Sequence, residues 1–175
     1  MKYQHRREPL SAEEEDRLVN ACKTQDEKLI VWTLLDTGMR VSEFASLKAD
    51  RILWQEKRIM LYGKGGKYGK RSKRRVIPLG DRTRKLLEIH FASNDQMGIH
   101  VRTIQRVVLK VANRARISKQ VTPHVLRHTF AVRCIQKGIS TRALQEFLGH
   151  NHLSTTEWYL NLSPEEALGE FHRKW

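Results

Sequence analysis

Apolar residues recur at helical spacing along most of the chain, and a stretch near its middle breaks that rhythm. Ser11 with Glu14 fits a capping box, Leu10 stands where a hydrophobic staple would, and a helix is predicted from about Ala12 to Ala21. A second helix carries the run Leu29 to Leu35 and stops near Gly38, a residue suited to a left-handed C-cap. A third starts around Arg40 and runs through Phe44 and Leu47. The period then changes: ILW, RIMLY and RRVIPL read as three short strands joined by charged turns, with Pro78 at the end or edge of the last. Helical spacing returns over Asp81 to His90 and Val101 to Arg114. Thr122 before Pro123 is a strong helix start, since the hydroxyl caps and proline suits the first helical position. That helix ends near Gly138, and Ser140 caps another that ends at Gly149. A short helix over Thr155 to Tyr159 and a last one from Ser163 complete the pattern. The chain is therefore expected to be mainly α with a small three-stranded antiparallel sheet, an α+β fold.

Composition narrows the partners. The 175 residues suit a single domain with a real core, and 39% hydrophobic with 30% charged residues is a globular balance. Lys and Arg number 33 against 19 Asp and Glu, a net charge of +14 that favours a polyanion. Cys22 and Cys134 form neither a CxxC nor a metal spacing, which points to a reducing compartment, and the expected location is cytoplasmic. The longest apolar run is too short to span a bilayer and MKYQHRREPL lacks the apolar stretch of a signal peptide, so no membrane partner is expected.

The candidate chemistry sits at Arg40, in LLDTGMRVSE, and in the last third of the chain, at His124, Arg127, His150 and Tyr159. A phenol ionises near pH 10, so a tyrosine nucleophile needs positive charge and a proton acceptor nearby. A phosphodiester under attack gathers charge on its non-bridging oxygens, which the planar, permanently charged fork of arginine suits. His124 and Arg127, three apart, share a face at the first turn of their helix, where an anion is favoured. His128 follows His124 by four residues and His152 follows His150 by two, but no Cys or carboxylate completes a zinc set, so no metal is expected. The segment Gly63 to Arg75 holds four lysines and three arginines with no acidic residue. Most of these, Lys67, Lys70, Arg71, Lys73 and Arg74 among them, read as contacts to DNA phosphates. One lysine of such a turn could protonate a leaving 5′ oxygen, and Lys64, just after RIMLY, is the first choice.

TGMRVSE, GKGGK before VIPL, TPHVLRHTFA and LGHNHLSTTEWY follow one another in the order and spacing of the tyrosine recombinases, the phage integrase family. The chain resembles the catalytic domain of that family from about Leu10 to Leu162. The resemblance implies that Arg40 is the first family arginine and Lys64 the hairpin lysine. It makes His124 and Arg127 the HxxR pair, His150 the second histidine, Tyr159 the nucleophile and Glu43 a supporting carboxylate. It implies no metal, no ATP and no other cofactor. The lysine-rich turn is longer than the usual form, which leaves Lys67 and Lys70 as rivals to Lys64. The expected organisation is a single catalytic domain over residues 1–175, its family-like core at 10–162 and a C-terminal helix at 163–175 that could serve oligomerisation. No N-terminal core-binding domain is expected.

On this reading the protein is a site-specific DNA recombinase or integrase that cleaves and rejoins double-stranded DNA through a 3′-phosphotyrosyl intermediate. It is expected to be a monomer in free solution and a tetramer on DNA. A type IB topoisomerase would use similar chemistry within one duplex. A basic helical module that binds DNA without cutting is the non-enzymatic alternative, since the helices around Thr122 to Gly149 could pass for a helix-turn-helix.

Overall fold

The computed structural model describes residues 8–62 and 74–149. The turn at 63–73, His150, and the helices expected at 155–159 and from 163 lie outside the described residues. Helix α1 (Ala12–Asn20) opens on the expected capping box: Ser11 Oγ accepts the Glu14 N–H at 3.2 Å and Glu14 Oε2 accepts the Ser11 N–H at 2.8 Å. Leu10 itself is buried in the core, and its N–H donates to Thr129 Oγ1 at 2.9 Å. Helix α2 (Gln25–Thr37) is apolar around most of its girth, which is the pattern of a central helix. Helix α3 (Val41–Ala45) is shorter than its apolar spacing predicts. Beyond it the chain leaves the helix to pair with a distant segment: Leu47 O accepts the Met97 N–H at 2.8 Å and the Ala49 N–H donates to Asp95 O at 3.0 Å.

A 3₁₀ turn at Ala49–Arg51 leads into strand β1 (Ile52–Leu53), followed by β2 (Arg58–Tyr62) and β3 (Arg74–Pro78). They form one antiparallel sheet in the order β1-β2-β3, with Ile52 opposite Ile59, Ile59 opposite Ile77 and Leu61 opposite Arg75. Because strand side chains alternate, residues 59, 61, 75 and 77 share the buried face. Four helices complete the described chain: α4 (Asp81–Phe91), α5 (Val101–Arg114), α6 (Pro123–Gln136) and α7 (Thr141–Leu148). Helix α2 packs against α4, α5 and α6, while α7 packs on β3 and α6. The main core includes Leu34, Leu35, Phe44, Ile59, Ile77, Leu87, Ile104 and Leu126. A smaller cluster of Phe130, Ala131, Cys134, Leu144 and Leu148 fastens α7 to α6. Among the described residues no helix is long and apolar enough to cross a membrane.

Candidate active site

The ends of four helices and one strand build the site. Gly38 ends α2 with φ +60°, and a Cβ there would overlap the Phe130 ring, so both backbone and space require glycine. The chain then turns to place Arg40 at the head of α3. Its N–H donates to Glu43 Oε2 at 2.6 Å and its Nη1 to Glu43 Oε1 at 3.1 Å, and Nη2 reaches Gly149 O at 3.4 Å. The Arg40 side chain is 44% exposed, so it is anchored yet open to solvent.

Helix α6 begins as its sequence predicts: Thr122 Oγ1 accepts the Val125 N–H at 3.3 Å, and Pro123 is the first helical residue. His124 is exposed in the first turn, whereas Arg127 is buried at 5%. Arg127 Nη1 donates to Gly38 O and Nη2 to Leu148 O, each at 2.6 Å. These two carbonyls fix the guanidinium plane. His128 is buried one turn after His124; burial, with the nearby His124, pushes its pKa down to about 4, so it is neutral at physiological pH.

The third arm is Arg75 on β3, which is 7% exposed. Its Nη1 and Nη2 donate to Glu43 Oε1 and Oε2 at 2.5 and 2.7 Å, and its Nε donates to Phe147 O at 2.9 Å. Burial alone would raise the Glu43 carboxyl, but the hydrogen bonds and charge of Arg75, with Arg40, hold it below the usual carboxylate range. Three guanidinium groups thus meet successive carbonyls at the C-terminal end of α7: Arg75 on Phe147, Arg127 on Leu148 and Arg40 on Gly149. The last carbonyls of a helix lack intrahelical donors and carry the negative end of its dipole, so this end is a natural seat for cations. Gly149 ends the helix at φ +64°, and a Cβ on it would lie 2.8 Å from Arg75 Cδ.

The structure therefore brings Arg40, Glu43 and Arg127 together, with His124 one turn earlier on the helix that carries Arg127. His150, next in sequence after Gly149, lies outside the described residues, as do Tyr159, Lys64, Lys67, Lys70, Arg71 and Lys73. Arg74 is exposed at the start of β3, its Nη2 2.9 Å from Met60 Sδ. Arg75 was missed by sequence reasoning, which counted it with a basic turn. The signal was the strand alternation, which puts Arg75 on the same face as Ile77. Cys22 and Cys134 are buried free thiols whose pKa burial pushes up to about 11, so they behave as small apolar residues. Among the described residues no group of three or more His, Cys, Asp or Glu gathers to hold a metal.

An arginine cluster at a helix end, set by a helix that begins PHVLR and beside a small antiparallel sheet, defines the class. The chain belongs to the phage integrase family, whose model matches residues 8–166. It is 32% identical over 174 residues to a tyrosine recombinase of Pseudothermotoga lettingae, covering 94% of this chain and 59% of that one. It is 34% identical over 170 residues to the tyrosine recombinase XerA of Thermococcus kodakarensis, covering 89% and 58%. This chain therefore spans rather less than two thirds of these curated relatives. The fold matches the crystal structure of a XerA recombinase with a TM-score of 0.81 at 29% identity, over 99% of this chain and 66% of that one. A XerH recombinase bound to its difH substrate matches in fold at 22% identity and a TM-score of 0.75, covering 94% of this chain and 52% of that one.

Proposed function

We propose that this chain cleaves and rejoins double-stranded DNA at specific sites through a 3′-phosphotyrosyl intermediate. The observation that carries the reading is the convergence of Arg40 and Arg127 on adjacent carbonyls at the end of α7, one residue before His150. Separated by 87 positions in sequence, the two arginines are set in one place by the fold, as a clamp on a single phosphate requires. In the proposed step the Tyr159 oxygen forms a bond to phosphorus and the bond to the 5′ oxygen breaks. His124 assists proton transfer and Lys64, or in its place Lys67 or Lys70, gives the leaving oxygen its proton. Arg40, Arg127 and His150 take up the charge on the non-bridging oxygens, with Glu43 supporting Arg40. The phosphotyrosine keeps the energy of the broken diester, so a 5′ hydroxyl of another strand reverses the step without ATP or metal.

Lys67, Lys70, Arg71, Lys73 and Arg74 are assigned to DNA phosphates, which supply affinity but little sequence information. The protein is proposed to be a monomer free in solution that assembles as a tetramer on DNA, with residues 163–175 reaching a neighbouring subunit. The test is to incubate the protein with supercoiled plasmid, denature, and look for DNA covalently attached to protein. The wild type is expected to form the adduct at defined positions and Tyr159→Phe to form none while still binding DNA. Adducts from the Phe variant, or none from the wild type, would overturn the reading. Relaxation without exchange between two sites would place the chemistry with the topoisomerases instead.

A further inference from the structure

We propose that Arg75 is a positioning residue of the cleavage site, which keeps Arg40 available to the scissile phosphate by holding both oxygens of Glu43. The inference rests on the recombinase reading above and assigns a role to a residue outside its catalytic set.

The basis is competition for a largely shielded carboxylate. Glu43 has a side chain only 10% exposed, and such a carboxylate takes the strongest cation within reach. Two arginines reach it. Arg75 does so with a two-pronged fork at 2.5 and 2.7 Å, whereas the Arg40 side chain makes a single bond at 3.1 Å. The fork is the stronger arrangement. With Arg75 in place, its charge offsets that of Glu43 and the Arg40 charge is left over for an incoming anion. Without it, Glu43 would close on Arg40 as a full pair, cancel its charge and draw its donors away from the phosphate.

Exposure assigns the roles the same way round. Arg75 is buried, with Nε, Nη1 and Nη2 all donating to Phe147 and Glu43, whereas Arg40 is 44% open, so of the two arginines that share Glu43 it is Arg40 that is placed to meet DNA. Arg75 also sets the place where Arg40 ends. Its Nε holds Phe147 O, and its side chain packs so closely on Gly149 that no Cβ fits, while Gly149 O is the carbonyl that Arg40 reaches. One guanidinium therefore fixes both the carboxylate beneath Arg40 and the helix end beside it.

The experiment uses the full 175-residue chain and a duplex carrying the phosphate at which the plasmid adduct forms. The duplex is made once with the ordinary phosphate and once with a methylphosphonate there. The phosphonate is neutral, so its transition state needs one cation fewer. Single-turnover adduct formation is measured for the wild type, Arg40→Ala, Arg75→Met and Arg75→Lys, each normalised to the wild type on the same duplex, with folding followed by circular dichroism. On ordinary DNA, Arg75→Met is expected to slow cleavage about 30–100-fold and Arg75→Lys about tenfold, since lysine keeps charge but not the fork. DNA affinity is expected to stay within about threefold, because Arg75 is buried and phosphate affinity comes from exposed cations. On the methylphosphonate the deficits of both Arg75 variants are expected to shrink along with that of Arg40→Ala. Equal deficits on the two duplexes mean general damage to the fold and overturn the inference while leaving the recombinase reading intact. If Arg75→Met does not fold, the ratio for Arg75→Lys decides. No adduct from the wild type on either duplex overturns the reading and the inference together.

Discussion

Glu27, which is buried, and Glu43, whose side chain is 10% exposed, are both gripped by a fork of arginine, yet they sit in different kinds of place. Glu27, on α2, takes Arg114 of α5 at 2.7 and 3.1 Å, accepts the Lys23 N–H at 2.8 Å, and has Lys110 at 3.4 Å. The arrangement joins two core helices, and Arg114 spends a further bond on Ala21 O. Glu43 takes Arg75 through two shorter bonds, but it also carries Arg40, whose other donor reaches the end of α7. A buried ion pair is therefore a poor mark of function on its own. The mark is a second, open cation that leans on the pair without being consumed by it.

The largest expected effect tests that distinction. Arg40→Ala or Arg127→Ala should lower the single-turnover cleavage rate about 100–1000-fold, the scale of one lost transition-state donor. Lys in either place should restore only part of it, because the fork is gone. Arg114→Ala, measured per folded molecule in the same assay, should stay within about threefold of the wild type, since its bonds to Glu27 and Ala21 lie away from the arginine cluster. Cleavage lost equally in all three variants would erase the difference between the two pairs.

Glu27 should matter to stability without mattering to cleavage. Glu27→Gln leaves Arg114 without its anion and should lower the melting temperature by about 5–10 °C. Its cleavage rate at low temperature should be nearly that of the wild type. Glu43→Gln should instead lose roughly tenfold in cleavage, because Arg40 loses its carboxylate anchor. Thermal melts beside adduct assays on the two variants check that only the Glu43 change reaches cleavage, and a Glu27→Gln protein that is stable but inactive would break the contrast.

Much of this was legible in the sequence, and what was not has a common cause. Caps are local: Ser11 with Glu14, Gly38, and Thr122 with Pro123 act within four residues, and each helix end they predicted is present. Arg40 and Arg127 were legible because the wording around them resembles a known family. Arg75 was hidden in a basic run, and its identity comes from partners 32 and 72 positions away. Glu27 likewise finds Arg114 at a separation of 87. The early end of α3 was also set at a distance, by pairing of Lys48 with Gln96. Periodicity shows which face of an element is buried, but not which distant group will meet it there.

Acid should weaken the fold through the same carboxylates. The Arg114 hydrogen bonds pull Glu27 down from 4.5 to about 2 against the opposing effect of burial. Asp36, where burial opposes Arg82 and Arg133, and Glu43 are also held below their ordinary values. Groups with a depressed folded pKa bind fewer protons folded than unfolded, so their contribution is present above the ordinary value and is lost as the pH falls through the folded one. Stability should therefore decline from about pH 4.5 towards pH 2, and in Glu27→Gln that decline should be shallower. Urea melts across this range check the sign; stability rising on acidification would contradict these pairings.

The smallest expected effect belongs to an ion pair of the same residue types in an open setting. Arg84 and Glu88 on α4 make an ion pair of 2.7 Å, the length of the Arg114–Glu27 and Arg75–Glu43 bonds. The residue types and this distance are the same, but here a single bond replaces the fork, and the side chains are 33% and 44% exposed and lie four residues apart on one helix. Water already solvates both charges, so little is gained by pairing and little is left stranded when one is removed. Glu88→Ala should change stability by less than about 0.5 kcal/mol, and that change should shrink further in salt. Cleavage should be unaltered, because nothing in the arginine cluster touches this pair. A loss on the scale of Glu27→Gln would show that a short arginine–carboxylate contact stabilises this fold wherever it lies, and the contrast between buried and exposed pairs would fail.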